Sequence, residues 1–586
     1  MKSRLFDIVE SGYDRHANGI QLVTKRNGVW QETTTEDFKR MVHHAALGFH
    51  DLGLRKGDRV AIHSENNTEW IVADQALMTI GAVPVPIYTT LPTDQIAYIV
   101  RSCEASAYVV SGPELYAAFA PERDQLSFVK HVVYTVNPVE GAHGLQALID
   151  RGAELAAEHP GMWEYLKSEV TPDDLATLIY TSGTTGFPKG VMITHGNLSY
   201  TINVGIERIP FALEDKADKA VLAYLPLSHI FERAIDLVYM KYGYTIYYVE
   251  KVDEIPMDVK TVKPYFFGTV PRLLEKMHTA FRTKVNEAGG LKKALGNWAL
   301  DMAENQDVEE KRGLVKRIKF TIADILVYRK LKAALGGGLM GMVSGGAALS
   351  PKLLNFYNGI GVLLMQGYGL SETAPLLTLC EAGNMRQGSV GKTIRGVELK
   401  IAEDGEIIAR GPNIMKGYWN QPNETAEVLT PDGWFHTGDI GVMDADGYVF
   451  ITDRKKDLFK LSTGKYVAPA HIETSLMMSP LIDHAAVLGS HQKFCSALIV
   501  PNQPALKKAL NAKGELDVEK AEALIQVVVD QVNEKLPPWE KIKKFALLDT
   551  EFSIQTGELT PSLKLKRRVI HEKFSDRIAR IYESES

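Results

Sequence analysis

Cysteine is scarce in this chain: Cys103, Cys380 and Cys495 are its three, and they stand far apart in 586 residues. That spacing excludes a disulfide framework and a cysteine metal site, and implies reduced thiols in a reducing compartment. Long apolar runs are missing too. No stretch reaches the roughly 18 residues that a spanning helix needs. The opening segment from Met1 to Glu10 turns acidic and polar too early for a secretory signal. The expected location is the cytoplasm, with peripheral contact at the inner face of a membrane left open. Positive charge is not in excess. Lys and Arg number 66 against 72 Asp and Glu, a net charge of −6, which argues against a nucleic-acid partner. There is no internal repeat and no low-complexity tract. What remains is an ordinary globular composition, 45% apolar and 24% charged, in a chain too long for one core.

The first half alternates short β-branched runs with amphipathic stretches. Arg59 to Ile62, Gly81 to Ile87, Ala107 to Val110 and His131 to Tyr134 read as buried strands, with helices over Thr35 to Leu52 and Trp70 to Ile80. The alternation predicts α/β layers with largely parallel sheets. It resumes at Lys219 to Tyr224, Gly341 to Ser344 and Ile360 to Met365. Between Arg272 and Leu335 the composition turns to Lys, Glu, Ala and Leu, which predicts helices ended by Gly336-Gly-Gly338. Past Val390, turns at Asp404-Gly405, Asp432-Gly433 and Asp446-Gly447 predict a β-rich subdomain over about 390–453. The charged run Asp453-Arg-Lys-Lys-Asp457 reads as an exposed boundary before a last domain of about 130 residues.

Five segments are richer in special residues than a core needs. Tyr180-Thr-Ser-Gly-Thr-Thr-Gly-Phe-Pro-Lys-Gly190 follows the apolar run Leu175 to Ile179, a place where backbone N–H groups can approach phosphate oxygens. It fails the Walker pattern, because Pro188 stands where the motif needs glycine and Gly190 where it needs a hydroxyl. Ser344-Gly-Gly-Ala-Ala-Leu-Ser350 is a turn that could let a flat ligand approach the backbone, or a tight turn with nothing bound. Gln366-Gly-Tyr-Gly-Leu-Ser-Glu-Thr-Ala-Pro375 places Tyr368 between glycines that would expose its ring for stacking. In the same segment Glu372 is either a hard oxygen donor for Mg²⁺ or a helix-entry charge. In Trp434-Phe-His-Thr-Gly-Asp-Ile440, Asp439 could accept two ribose hydroxyls or serve a turn. Leu559-Thr-Pro-Ser-Leu-Lys-Leu-Lys-Arg-Arg568 gathers cations that could equally be a solvated face.

In order and spacing together, these segments resemble the adenylate-forming superfamily, and long-chain fatty acyl-CoA synthetases in particular. The resemblance covers nearly the whole length; Leu225-Pro-Leu-Ser-His-Ile-Phe-Glu-Arg233 and Gly268-Thr-Val-Pro-Arg-Leu-Leu-Glu275 are similar to the long-chain branch. It implies a large N-terminal α/β domain over 1–453 that includes the β-rich subdomain. A hinge at 454–457 and a mobile α+β domain over 458–586 would follow. The implied reaction joins a fatty acid to coenzyme A with ATP and Mg²⁺, releasing AMP and pyrophosphate. The resemblance implies that Thr181, Ser182, Gly183, Thr184, Thr185, Gly186 and Lys189 hold the β- and γ-phosphates. Thr181 and Glu372 would support the metal and Thr373 the α-phosphate. Gly345, Gly346 and Ala347, with Gln366, Gly367, Tyr368 and Gly369, would hold adenine, and Asp439 and Arg454 the ribose.

Lys564 aligns with the family's C-terminal catalytic lysine, although Leu563 stands where the family has glycine. Lys566 competes with it, and the pair Arg567-Arg568 favours Lys564. Lys456 takes the hinge position, where many relatives carry Asp. His229 has two readings, an acyl-pocket or carboxylate-polarising group and a structural histidine packed on Phe231. Tyr224, Phe231, Tyr244, Tyr247, Phe266, Phe267 and Val270 are candidate walls of an acyl tunnel and equally candidates for sheet core. The basic pairs Lys311-Arg312 and Lys316-Arg317 could touch an anionic membrane or face solvent. Because the chain stops at Ser586 without a carrier domain, a modular peptide synthetase is not expected. Oligomeric state is open, a homodimer included.

Overall fold

The β-branched runs of the first part become an all-parallel sheet of five strands in the computed structural model. The structure describes residues 3–16, 19–140, 142–181, 188–209, 219–510, 516–560 and 563–583. Across this sheet the order is Val83–Ile87, Arg59–His63, Ala107–Val110, His131–Tyr134 and His143–Gly144. Val60 to Ile62 and Ala107 to Val110, apolar throughout and fully buried, suit strands covered on both faces. Helix Thr35–Asp51 starts where the Thr34 hydroxyl accepts the Asp37 N–H at 3.0 Å. Helix Thr68–Thr79 is buried along its whole length apart from Glu69, as an apolar pattern all round demands. Its buried carboxylate, Asp74, meets Arg233 of helix Ile230–Lys241 with Nε to Oδ2 at 3.2 Å, both side chains 1% exposed. Burial pushes the Asp74 carboxyl up to about 6, with Arg233 opposing the rise.

A second sheet has nine strands. Its order is Lys392–Thr393, Thr378–Leu379, Leu363–Tyr368, Gly341–Ser344, Phe266–Thr269, Ala220–Ala223, Thr245–Tyr248, Ile20–Arg26 and Val29–Thr34. The central pairings are parallel and the outer ones antiparallel. The run at Ile360 enters its strand later than the sequence suggests. Helix Pro351–Gly359 ends at Ile360, and Gly361 takes a φ of +87° to turn the chain before Leu363. Tyr244, Phe266 and Phe267 are fully buried in this sheet, so of their two readings the structure places them in core.

The strand Leu175–Thr181 pairs antiparallel with Lys189–Thr194, and Thr177 Oγ1 donates to the Pro84 carbonyl at 2.8 Å. The elements that flank the Gly-rich segment are thus two paired strands, unlike the strand and helix that flank a Walker loop. The next helix, His195–Gly205, begins only after the return strand.

The Lys- and Glu-rich insert forms helices Pro271–Glu287, Gly290–Glu304 and Leu314–Ala323, continued by a wide turn Asp324–Tyr328 and helix Arg329–Ala334. Glu304, 5% exposed, ties the insert together. Its Oε1 accepts from His278 Nε2 at 2.7 Å and Arg282 Nε at 2.9 Å, and Lys352 Nζ lies 2.9 Å from Oε2. Burial pushes this carboxyl up, but the hydrogen bonds from His278, Lys352 and Arg282 outweigh it and bring it down to about 2. A depressed carboxylate stabilises the fold above its unfolded value of 4.5, and that contribution is lost as pH falls from there towards 2. Glu304→Gln is expected to destabilise the insert by about 1–3 kcal/mol near neutrality, because near-buried His278 and the partly exposed Arg282 and Lys352 lose a charged acceptor. The gap in melting temperature between wild type and variant should close as pH falls through that window. A gap that is constant with pH would assign the effect to packing.

Contacts divide the chain into two units. One comprises Met1–Leu399, Ile408–His436 and Asp444–Val449; the other Lys400–Ile407, Thr437–Met443 and Phe450–Ser586. The turns at Gly405, Gly433 and Gly447 have φ of +84°, +87° and +83° and separate strands of a four-stranded sheet, as the Asp-Gly pairs predict. The second unit also holds a sheet in which Cys495–Pro501 pairs antiparallel with Ile482–Leu488 and parallel with Ile542–Leu547. Helices Pro469–Met477 and Val518–Asn533 contribute to its core. Asp453, read from sequence as part of an exposed boundary, is instead a buried strand residue. Burial raises its carboxyl to about 6.

Candidate active site

Ligands of open α/β sheets bind beyond the carboxyl ends of the strands. Four neighbouring strands of the nine-stranded sheet, Ala220–Ala223, Phe266–Thr269, Gly341–Ser344 and Leu363–Tyr368, run parallel. The segments that follow them emerge on one edge. In this way the fold brings together His229, the Gly345–Ala347 turn and the Gln366–Thr373 loop.

Gly345 donates its N–H to the Thr269 carbonyl at 3.2 Å. Gly346 has φ +78°, and a Cβ there would meet nothing within 4 Å, so the turn is exposed and its backbone approachable. His229 Nδ1 accepts the Phe231 N–H at 3.1 Å and caps helix Ile230–Lys241, which gives this histidine a structural role. Its loop is pinned by Asn66, which donates to the Leu225 carbonyl at 2.7 Å and accepts the Leu227 N–H at 2.9 Å.

The Tyr368 loop departs from the sequence reading. Tyr368 is 8% exposed, and its glycine neighbours do not bare its ring. They let the chain fold back on itself: a Cβ at Gly369 would lie 1.8 Å from the Pro375 carbonyl oxygen, and one at Gly367 would lie 3.3 Å from Leu376. Tyr368 then pairs with Thr378 and Gly367 with Leu379, while Gln366 is buried. Thr373 is fully buried. Its Oγ1 accepts the Leu370 N–H at 2.9 Å and donates to the Leu370 carbonyl at 3.0 Å, closing the turn that presents Glu372. Asn413 Nδ2 braces the same turn, donating to the carbonyls of Thr373 at 3.1 Å and Leu376 at 2.7 Å.

Glu372 meets the Gly-rich hairpin through a residue that sequence reasoning missed. Tyr418 donates its hydroxyl to Glu372 Oε1 at 3.0 Å, and Lys189 Nζ sits 5.0 Å from the centre of the same ring. The segment carrying Tyr418 extends the hairpin. Met192 N–H bonds the Gly417 carbonyl, and Lys416 N–H the Met192 carbonyl, both at 3.0 Å; Trp419 N–H bonds the Gly190 carbonyl at 2.8 Å. Met415 N–H also donates to the Glu372 carbonyl at 2.9 Å. Thr181 and Lys189 stand opposite each other at the hairpin base. Burial, and then the Glu372 carboxylate, raise the Tyr418 phenol well above its ordinary value, so it stays a donor. Ser182, Gly183, Thr184, Thr185 and Gly186 lie outside the described residues. The signal for Tyr418 was an aromatic next to Gly417, but only long-range pairing gives it a partner.

The second unit holds the rest of the candidates. Arg454 Nε lies 3.1 Å from Asp439 Oδ1, and Asp439 is buried. Gly438 and Asp439 lie within strand Phe435–Met443 and not at the turn the sequence suggested; Gly438 has φ +71° and donates to Glu406 Oε1 at 2.8 Å. The Asp439 N–H is held by Thr437 Oγ1 at 3.1 Å. Lys456 is exposed in the turn after strand Val449–Arg454. Lys564 is exposed on a short return between Leu559 and Leu565. Its N–H donates to Thr560 Oγ1 at 3.0 Å, its carbonyl accepts the Thr560 N–H at 2.8 Å, and Leu563 before it has φ +59°. Lys566 precedes helix Arg567–Lys573, whose Arg567 forms a fork to Glu473 with both N···O distances 2.7 Å. Arg567 is therefore tied to a buried carboxylate, and Lys564 is an exposed lysine beside it.

The chain matches the family model described as AMP-binding enzyme over residues 11–419, and the AMP-binding enzyme C-terminal domain over 456–586. A curated relative, the long-chain-fatty-acid–CoA ligase FadD15 of Mycobacterium bovis, is 37% identical over 95% of this chain and 94% of its own. The human long-chain-fatty-acid–CoA ligase 1 is 32% identical over 90% of this chain and 78% of its own. Among solved structures, an anthranilate–CoA ligase with bound anthranoyl-AMP superposes with TM-score 0.72 at 20% identity, covering 98% of this chain and 97% of that one. The A domain of a carboxylic acid reductase from Segniliparus rugosus, with AMP and a carboxylic acid, gives 0.75 at 20% identity, over 100% of this chain and 94% of that one. At that identity the structural likeness speaks for the fold.

Proposed function

This chain belongs to the AMP-binding enzyme family, and from that premise we propose that it activates a long-chain fatty acid with ATP and transfers the acyl group to coenzyme A. It is an AMP-forming acid–thiol ligase. In the first half-reaction a carboxylate oxygen of the fatty acid attacks the α-phosphorus, and the bond to pyrophosphate breaks. In the second, the coenzyme A thiol, losing its proton, attacks the acyl carbonyl and AMP leaves. Both steps crowd anions together, so the protein's work is positioning and charge neutralisation.

The observation that carries this reading is the linked set on one sheet edge: the Gly345–Ala347 turn, the Gln366–Thr373 loop, and Glu372 joined through Tyr418 to Lys189. The turn would hold adenine together with Gln366–Gly369, and Lys189 with Thr181 to Gly186 the pyrophosphate side. Thr373, occupied in its turn, would reach the α-phosphate only with its remaining hydroxyl capacity. A single carboxylate, Glu372, with the Thr181 hydroxyl suits Mg²⁺, which keeps few protein ligands and takes the others from water and phosphate oxygens. When bound there, Mg²⁺ would neutralise charge on the phosphates. Asp439 and Arg454 would hold the ribose, and Lys564 the α-phosphate and carboxylate. His229, beyond its capping role, would border the acyl site. The domains would divide as 1–453, a hinge at 454–457 centred on Lys456, and 458–586; the start of the C-terminal family match at residue 456 supports that boundary.

The test is AMP release with straight-chain acids from acetate to icosanoate, with and without coenzyme A. Each buried CH₂ contributes about 0.8 kcal/mol, so kcat/KM should climb steeply with chain length until the site is filled. Turnover confined to acetate or aryl acids would overturn the long-chain assignment, and release indifferent to the thiol would overturn the ligase assignment.

A further inference from the structure

The last part of the helical insert is apolar on two sides. One side is spent: Phe320, Ala323, Val327, Tyr328 and Leu331 are buried, and Tyr328 donates its hydroxyl to the Ala299 carbonyl at 2.7 Å. The other side carries Leu314, Ile318, Ile322 and Ile325 at helical spacing, with Val315 and Leu326 beside them, and every one of these is exposed. Leu314 is 76% accessible and Val315 68%, where a solvated helix would carry polar groups.

The same stretch is densely basic. From Lys311 to Lys332 there are eight Lys and Arg and one carboxylate, Asp324, in a chain whose net charge is −6. Asp324 is occupied by Lys332 at 2.7 Å and Arg329 at 3.2 Å. Arg312 is drawn inward over the Phe320 ring at 3.6 Å. Lys311, Arg317, Lys319 and Lys330 are exposed. Lys311 and Lys330 stand towards the ends of the apolar stripe, and Arg317 and Lys319 follow and precede its members along the helix.

We propose that the helix spanning residues 314–334 is a docking face for an anionic lipid bilayer, lying in the interface with Ile318, Ile322 and Ile325 in the acyl boundary and the flanking cations among headgroup phosphates. Both halves of the pattern select this occupant. A second copy of the chain meeting this face would set like charges against each other, and a polyanion without an apolar layer would leave the isoleucines in water. A bilayer takes both. The purpose, though not the binding, rests on the ligase reading: a long-chain acid partitions into membranes, and an enzyme seated there meets it directly.

The experiment uses the full-length enzyme and vesicles of phosphatidylcholine with or without phosphatidylglycerol. Wild type should co-sediment with the anionic vesicles far more than with the zwitterionic ones. The triple change Ile318→Ser, Ile322→Ser, Ile325→Ser, and separately Arg317→Gln with Lys319→Gln and Lys330→Gln, should each weaken that binding by about tenfold or more. AMP release with a dispersed, water-soluble acid should match wild type in both variants, which also certifies folding, while release with palmitate delivered in anionic vesicles should fall. Failure of wild type to bind anionic vesicles, or undiminished binding by the variants, overturns the proposal. So does a change in oligomeric mass without a change in vesicle binding, which would make the face a protein contact. Vesicle binding requires no turnover, so a protein that binds through this helix but activates no fatty acid would refute the ligase reading alone.

Discussion

Lys564→Ala should lower the rate of acyl-AMP formation by about 10²- to 10³-fold, the scale on which loss of one preorganised charge at a developing anion is felt. Thioester formation from supplied acyl-AMP should stay near the wild-type rate. The asymmetry follows from the chemistry. In adenylation, a carboxylate must approach a triphosphate, and an ammonium between them lowers the Coulomb cost of the encounter and of the transition state. In thioester formation that encounter is already over. Lys564 suits the role because its stem is long and its loop exposed, whereas neighbouring Arg567 is spent on Glu473. Lys566→Ala is the control and should leave both half-reactions close to wild type. Equal loss of both half-reactions in Lys564→Ala, or a larger loss in Lys566→Ala, would remove the assignment.

Glu372→Gln should reduce Mg²⁺-dependent pyrophosphate release by about 100-fold or more, while the fold stays intact. Glutamine keeps an oxygen for the Tyr418 hydroxyl and the same backbone bond to Met415, so the loop keeps its anchors and only the charge is withdrawn. Raising Mg²⁺ should recover part of the rate, because the deficit lies in metal affinity. Tyr418→Phe should act in the same direction at about tenfold, as expected for a partner that orients a ligand without being one. An unchanged rate in Glu372→Gln, or a rate insensitive to Mg²⁺ in both proteins, would sink the role given to this carboxylate.

Four strands of the five-stranded sheet were legible in the sequence because each is a short apolar run between turn residues; the fifth, His143–Gly144, is too short to carry a pattern. Its helices were legible because their apolar spacing is regular. Ile360 misled because an apolar pair beside Gly361 reads alike as strand start or helix end, and only the positive φ of that glycine separates the two. Tyr368 misled more instructively. Flanking glycines suggested an exposed ring, but they are demanded by the Pro375 carbonyl and the Leu376 side chain pressing from the returning chain. Asn413 carries no local mark, and Tyr418 only the glycine before it. Their meaning comes from edges paired across more than two hundred residues at Met192 and a turn braced across forty at Thr373, which no window of sequence contains. Candidates close in sequence, such as Asp439 and Arg454 on the successive strands Phe435–Met443 and Val449–Arg454, were the ones sequence could order.

The left-handed Leu563 bears on how the lysine after it is delivered. Glycine at that place would open many backbone states to the loop, and leucine closes most of them. Thr560 is also bonded to Lys564 through both backbone and hydroxyl, which ties the two ends of this return together. Any displacement of the ammonium beyond the reach of its own stem would then need the domain movement proposed above. The entropy that would be lost at each turnover by a floppy lysine loop is here lost once, on folding.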